Sequence, residues 1–168
     1  MPVLVHLTPA KNVKRIRRSG IHKGEIGVYC LPVVQNYYVS HQWLRELKRW
    51  GQRTFIGIYF RVPDEEMVWF GHYGQPHQHL PVTEAIRLLM QAQDPQGYEL
   101  ILPRSISAKE IYKVQFIPHV VGWRYMPGAH ERVWCGCPVC VSRGEIKSRK
   151  KRLRYHRSLY GNDQEDKR

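Results

Sequence analysis

The stretch Tyr98-Glu99-Leu100-Ile101-Leu102-Pro103 constrains this chain most. Three consecutive aliphatic residues between a Gln96-Gly97 turn and a proline read as a short buried strand. Glu99 stands at its mouth. A carboxylate beside apolar chain is costly to desolvate unless it is exposed, paired or at work, so the position demands one of those explanations. Pairing with Arg104 or Lys109 is the structural alternative. The following segment, Ile106 to Pro118, carries Ser107 and Glu110 at capping-box spacing, then Ile111, Val114, Phe116 and Ile117. That pattern predicts one helical turn feeding another strand.

Short alternating elements precede this pair. Val3-Leu4-Val5 begins a strand ending at His6-Leu7-Thr8-Pro9, where Thr8 suits an N-cap and Pro9 a first helical residue. Val13 and Ile16 form the apolar pair of the helix, and Gly20 closes it. Lys11, Lys14, Arg15, Arg17 and Arg18 take its other face, which is either solvated or in contact with phosphate. Val28-Tyr29-Cys30-Leu31 reads as a second strand stopped by Pro32. Asn36 to Gly51 predicts a helix with Trp43, Leu44, Leu47 and Trp50 on one inward stripe. Phe55 to Val62 is apolar enough for a strand covered on both faces, and Met67 to Phe70 for one more. Gly71 to Pro81 reads as a loop. Its His72, His77 and His79 suit substrate or solvent contact better than metal, since no neighbouring carboxylate or cysteine joins them. Thr83 is expected to cap a helix reaching Gln93, with Ile86, Leu89 and Met90 inward.

A length of 168 residues, 42% of them apolar, suits one compact domain with a small appendage. The formal net charge of +13 favours a polyanionic partner: nucleic acid, a phosphate-rich ligand or an acidic membrane surface. No apolar run approaches the roughly 18 residues of a membrane-spanning helix, and no basic region precedes a long apolar segment at the N-terminus. No membrane association and a cytoplasmic location are the resulting expectations. Composition shifts beyond Val120, dividing the chain into residues 1–122, a Cys-rich and basic extension at 123–157, and a polar tail at 158–168 expected to be disordered. Cys135, Cys137 and Cys140 crowd too closely for easy mutual disulfides and suit thiolate ligation of a structural Zn²⁺; free thiols and redox chemistry are the other readings. His130 is the leading fourth ligand, with His119, Cys30 and His156 as rivals. Such a metal pins the basic stretch that follows, where Arg149, Lys150, Lys151, Arg152 and Arg154 fit phosphate-backbone contact.

Three features then line up: a histidine ending the first strand, a tyrosine on the second, and a glutamate opening a late strand. The matching residues are His6-Leu7-Thr8-Pro9 with its helix ending Arg18-Ser19-Gly20-Ile21, then Gly27-Val28-Tyr29, then Tyr98-Glu99-Leu100-Ile101 followed by Ile106 and Ile111. Together, across residues 3 to 118, they resemble the ADP-ribosyltransferase superfamily. The similarity is to its His-Tyr-Glu branch, which includes the poly(ADP-ribose) polymerases and the DNA-modifying DarT toxins.

The resemblance implies an α+β fold: an ADP-ribosyltransferase-like split antiparallel sheet with flanking helices, here joined to a small zinc-pinned basic C-terminal extension. It implies NAD as co-substrate, nicotinamide release, a nucleic-acid acceptor, DNA or RNA, and a toxin or defence role with a neutralising antitoxin protein. Cleavage at the nicotinamide ribose passes through an oxocarbenium-like state, which needs a nearby carboxylate. Glu99, His6 and Tyr29 are the implied catalytic residues, and His6, Thr8, Tyr29 and Tyr38 the implied NAD contacts. For stacking on nicotinamide Tyr29 comes first, with Tyr37 and Tyr38 as rivals. Gly97 stands where transferases acting on protein arginine carry Glu or Gln, and no Ser-Thr-Ser occurs, which points away from that target. The tRNA 2′-phosphotransferase branch suits the charge, but its Arg-rich set has no clear counterpart here. A non-catalytic zinc-containing nucleic-acid-binding protein is the alternative, with Glu99 and His6 structural; an enzyme instead needs a cleft joining His6, Tyr29 and Glu99.

Overall fold

The computed structural model of the chain describes residues 1–49, 54–117 and 122. Along them run β1 (Val3–Pro9), α1 (Val13–Ser19), β2 (Val28–Pro32), α2 (Tyr37–Ser40), α3 (Leu44–Arg49), β3 (Phe55–Arg61), β4 (Met67–His72), β5 (Gln78–Pro81), α4 (Val82–Gln91), β6 (Tyr98–Leu102) and β7 (Ile111–Phe116). The strands form one antiparallel sheet of seven, ordered β5-β4-β6-β2-β1-β3-β7, in a mixed helix and strand protein.

The ladders are unequal. β1 and β3 stay in register from Val3↔Arg61 to Pro9↔Phe55, whereas β1 and β2 pair just at Leu4↔Pro32 and Val5↔Leu31. Beyond Val5 those two strands part, so the sheet is nearly divided between a β3-β1 half and a β2-β6-β4 half. Leu4, Cys30, Ile58, Phe60, Val68, Phe70, Leu100 and Leu102 line one face, where α1 adds Ile16 and α4 adds Val82, Ala85 and Leu89. Burial of these side chains out of water, at about 25 cal/mol per Å² of apolar area, is the main force holding the helices to the sheet. On the opposite face Val5, Leu31 and Tyr59 pack with Trp43.

Several local readings hold. Gly20 ends α1 at φ 77°, and a Cβ there would lie 2.0 Å from the Ile106 carbonyl oxygen, so this close approach requires glycine. Ile21 and Ile106 exchange two backbone hydrogen bonds of 2.8 Å beside it. The Ser107–Glu110 capping box forms, over a single 3-10 turn that leads into β7.

Other readings are corrected. Thr8 is no N-cap: it lies in β1 opposite Ile56, and its Oγ1 accepts from Asn12 Nδ2 at 3.0 Å. Pairing with β3 keeps the strand extended through Pro9, so the chain turns through a 3-10 segment, Ala10–Asn12, before α1. The helix expected over 36–51 is split into α2 and α3 by a turn at His41–Trp43, while Trp50 and Gly51 lie outside the described residues. The reason is that His41 and Gln42 are buried and bond outside a helical ladder, His41 Nε2 to the Tyr59 hydroxyl and Gln42 to the 95–97 turn. The 71–81 segment is no plain loop, because β4 runs on to His72 and β5 returns from Gln78. α4 starts at Val82, ahead of Thr83, whose hydroxyl donates to the Asp64 carbonyl instead. Leu89 and Ile86 face the core as expected, joined by Val82 and Ala85, but Met90 is 54% exposed.

Arg104 does not pair with Glu99. Its guanidinium takes Glu66 in a two-bond clamp at 3.0 Å and Glu110 at 2.8 Å, tying the β3–β4 turn to the segment after β6. No described ion pair joins Lys109 to Glu99 either. Arg104→Ala is expected to lower stability in urea unfolding by about 1–2 kcal/mol: above an isolated surface pair because two carboxylates lose their partner, and limited by solvent at the half-exposed arginine. Among the described residues no helix is long and apolar enough to cross a membrane.

Candidate active site

Strand order brings the three singled-out residues together. β6, β2 and β1 are neighbours, so Glu99, Tyr29 and His6 occupy consecutive strands. Tyr29 lies opposite Ile101 in the β2–β6 ladder. Facing residues of an antiparallel pair share a sheet face and alternate residues repeat it, which puts the Tyr29 and Glu99 side chains on the same face as diagonal neighbours. Cys30 and Leu100 point the other way, into the main core. Tyr29 is 47% exposed despite its central strand, so the sheet is open above it. Burial, then the charge of Glu99, then Tyr73 push the Tyr29 phenol upward from its ordinary pKa, which keeps it neutral.

His6 reaches this group by a different route. By alternation it belongs with Leu4 and Ile58 on the core face, but the β1–β2 ladder has already ended at Val5. Its ring spans the resulting gap, and Nδ1 lies 2.8 Å from the Tyr29 carbonyl oxygen. A carbonyl accepts, so Nδ1 carries the proton and Nε2 of the neutral ring keeps a free lone pair. Burial, partly offset by that hydrogen bond, moves the His6 pKa down, favouring the neutral ring. The ring thus touches the Tyr29 backbone rather than its phenol. Stability gained from neutral His6 is present above the unfolded pKa near 6.5 and is lost as pH falls through the lower folded value.

Glu99 has a partner that its sequence neighbourhood hides. His77 Nε2 lies 3.4 Å from Glu99 Oε2, with the side chains 19% and 13% exposed. The pairing follows from register: Gly71 faces Glu99 on one side, and the Phe70↔Gln78 pair brings His77 alongside Gly71 on the other. Burial raises the Glu99 pKa above the usual carboxylate value, while His77 and, more weakly, His72 pull it back. A carboxylate pulled both ways in a partly open site is suited to gain and lose a proton.

The same face holds residues that sequence reasoning passed over. Trp69 lies opposite both Ile101 and His79, and its ring is 4.5 Å from that of His79. Trp43 stands 5.5 Å from Tyr73, its indole N–H donating to the Tyr98 carbonyl at 2.8 Å. Period-two alternation along β4 and one residue past its end marks Trp69 and Tyr73 once the register is known, whereas Trp43 comes from the turn between α2 and α3. The remaining candidates sit apart. Thr8 is buried, and its hydroxyl oxygen accepts from Asn12. Tyr38 is exposed on α2, and no described contact joins it to His6, Tyr29 or Glu99. Its neighbour Tyr37 stacks on His41 at 4.1 Å.

Cys135, Cys137, Cys140 and His130, like Arg149, Lys150, Lys151, Arg152 and Arg154, lie outside the described residues. Cys30, a rival fourth zinc ligand, is in the main core with its thiol directed at the Leu100 carbonyl, and burial pushes its pKa far up. A thiol held protonated there is a poor ligand. Among the described residues no group of three or more histidine, cysteine or acidic side chains is placed to hold a metal. Compared with family models, curated proteins and solved structures, the chain has no match.

Proposed function

We propose that the protein is an NAD-dependent ADP-ribosyltransferase of the His-Tyr-Glu type, acting on nucleic acid. The observation that carries the reading is the convergence of Glu99, Tyr29 and His6 on adjacent strands beside the point where the sheet opens. In this reading the nicotinamide ring stacks on the exposed Tyr29. Neutral His6 accepts a hydrogen bond from a ribose hydroxyl at Nε2, its tautomer fixed by the Tyr29 carbonyl. Glu99 stabilises the positive charge that develops at the ribose C1′.

The bond from C1′ to the nicotinamide nitrogen breaks, and its electron pair leaves with neutral nicotinamide. An acceptor oxygen or nitrogen then forms the new bond to C1′, and its proton passes to Glu99 and on to water. The Trp69 and His79 rings, on the same face, offer a stacking surface for a base of the acceptor. The net charge of +13 supports a polyanionic acceptor. A toxin or defence role, with a protein that neutralises it, belongs to the same proposal.

The test is nicotinamide release from NAD by wild type and Glu99→Gln, with and without DNA or RNA. Release by wild type alone, increased by one nucleic acid, sustains the reading and names the acceptor class. No release from either protein, with nucleic acid still bound by both, favours a binding protein without chemistry. For the extension we propose a structural Zn²⁺ on Cys135, Cys137 and Cys140 with His130. Protein purified without chelator is expected to carry one equivalent of zinc by elemental analysis, and Cys137→Ser to lose it; zinc-free wild type removes the idea.

A further inference from the structure

The 71–81 segment, read from the sequence as a loop whose histidines suit substrate or solvent contact, is a β4–β5 hairpin that brings His77 to the Glu99 carboxylate. Three observations bear on why. First, Gly71 stands opposite Glu99, and a Cβ at Gly71 would lie 3.1 Å from His77 Cα, His77 Cγ and the Pro76 carbonyl oxygen. The missing side chain is what lets the hairpin backbone close down beside Glu99. Second, both side chains are largely withdrawn from water. Third, His77 Nε2 is buried with no hydrogen bond of good geometry among the described residues; it faces Oε2 at 3.4 Å, close enough to bond after a small rotation. Buried ring nitrogens left in that state are uncommon and cost free energy, so a partner that arrives or tightens with substrate is a physical reason for one. Catalytic hydrogen bonds are often long before substrate binds and shorten afterwards.

We infer that His77 is a positioning residue for Glu99: it holds Oε2 from the hairpin side, so that Oε1 is presented to the substrate above Tyr29. This rests on the reading of Glu99 as the catalytic carboxylate. As charge develops at C1′, the His77 ring keeps the carboxylate oriented. When the acceptor proton arrives on Glu99, Oε2 remains bonded to His77. The groups facing Glu99 are His77 from the hairpin, His72 from β4 and Tyr29 from β2, with Tyr73 coupled to Tyr29.

The experiment uses the full chain with His77→Leu, which removes the polar ring, and His77→Gln, whose amide nitrogen stands close to where Nε2 was. Nicotinamide release is measured across pH. His77→Leu is expected to lower kcat by about 100-fold, the scale of a small misplacement of a catalytic group, with the KM for NAD within about twofold. Its acid limb should move to higher pH, because Glu99 loses the neighbour that favours its ionised form. His77→Gln should recover most of kcat. A folded His77→Leu protein with unchanged kcat, or with an unmoved acid limb, overturns the inference.

A second readout separates this failure from that of the parent reading. The Glu99 carboxyl carbon is titrated by NMR in wild type and His77→Leu, with no substrate present. An upward move in the variant sustains the pair even if wild type releases no nicotinamide, an outcome that overturns the transferase reading and the positioning role together. No move in the titration overturns the pair itself.

Discussion

Glu99→Gln is expected to cut nicotinamide release by about 100- to 1,000-fold while leaving the protein as stable as the wild type at neutral pH, or more so. The loss of activity follows from charge. Glutamine keeps the size and much of the hydrogen bonding of Glu99, but has no negative charge to set against an oxocarbenium-like centre, and one preorganised electrostatic group contributes about 3–4 kcal/mol to such a barrier. The stability expectation follows from the direction of the Glu99 shift. Burial raises its pKa in the folded protein, so the protonated form is favoured on folding and ionisation costs stability. That contribution is fully present below the unfolded carboxylate pKa and is lost as pH rises through the folded value. The glutamine variant resembles the protonated side chain at every pH. Urea midpoints should therefore agree at pH 4 and diverge in favour of the variant at pH 7 to 8. A variant that loses activity but is clearly less stable at pH 8 would indicate that ionised Glu99 is held by more than His77, and the loss would then reflect folding.

This pairing of lost activity with retained stability separates a working carboxylate from a structural one. A glutamate kept for an ion pair, as Glu66 is kept for Arg104, should cost stability on neutralisation. Among the described residues Glu99 has no such cation. Its partner is a histidine at 3.4 Å, and an open sheet face lies beside it.

What could be read from the chain was local, and what could not depended on register. The β6 strand, the Gly20 terminator and the Ser107–Glu110 cap are each specified by residues a few positions apart, and each formed where expected. α4 shows the limit of that logic. Thr83 has the chemistry of a cap, but Pro81 and the β5 ladder set the start at Val82; Ile86 and Leu89 face the core and Met90 lies outward. The same holds at the site. The residue types of His6, Tyr29 and Glu99 were visible, and His77 was marked for substrate or solvent contact rather than metal, but its pairing with Glu99, far away in sequence, was not. Gly71 supplies the missing link, since a glycine between two strands has no pattern of its own until both neighbours are known. Trp69 and Tyr73 were hidden for the same reason, because alternation assigns a face only after one residue of the ladder is fixed.

The largest stability loss away from the apolar core is expected at Gln42. Read as a sequence, Gln42 is a polar residue between Trp43 and His41, with nothing to mark it. In the fold it is 1% exposed and holds the turn that leads into β6. Its Oε1 accepts from the Gly97 N–H at 2.6 Å, and its Nε2 donates to the Pro95 carbonyl at 3.0 Å and the Val39 carbonyl at 3.3 Å. Gly97, at φ 82°, turns the chain immediately ahead of Tyr98 and Glu99, so this side chain fixes where the carboxylate begins. Gln42→Leu keeps the volume and leaves a buried N–H and two carbonyls without partners. Each unsatisfied buried group costs about 1–3 kcal/mol, some of it relieved by relaxation, so the net loss should be about 2–4 kcal/mol in urea unfolding. Gln42→Glu tests the geometry separately, because it retains the acceptor for Gly97 and loses the donor for Pro95 and Val39. If hydrogen bonding to the turn is what matters, an active wild type should lose nicotinamide release in Gln42→Leu at temperatures where the variant is still folded, because the entire 95–97 turn shifts beneath Glu99. Activity preserved at full kcat in a folded Gln42→Leu protein would show that β6 is placed by its ladders with β2 and β4 alone, and that the turn is fastened for stability and not for chemistry.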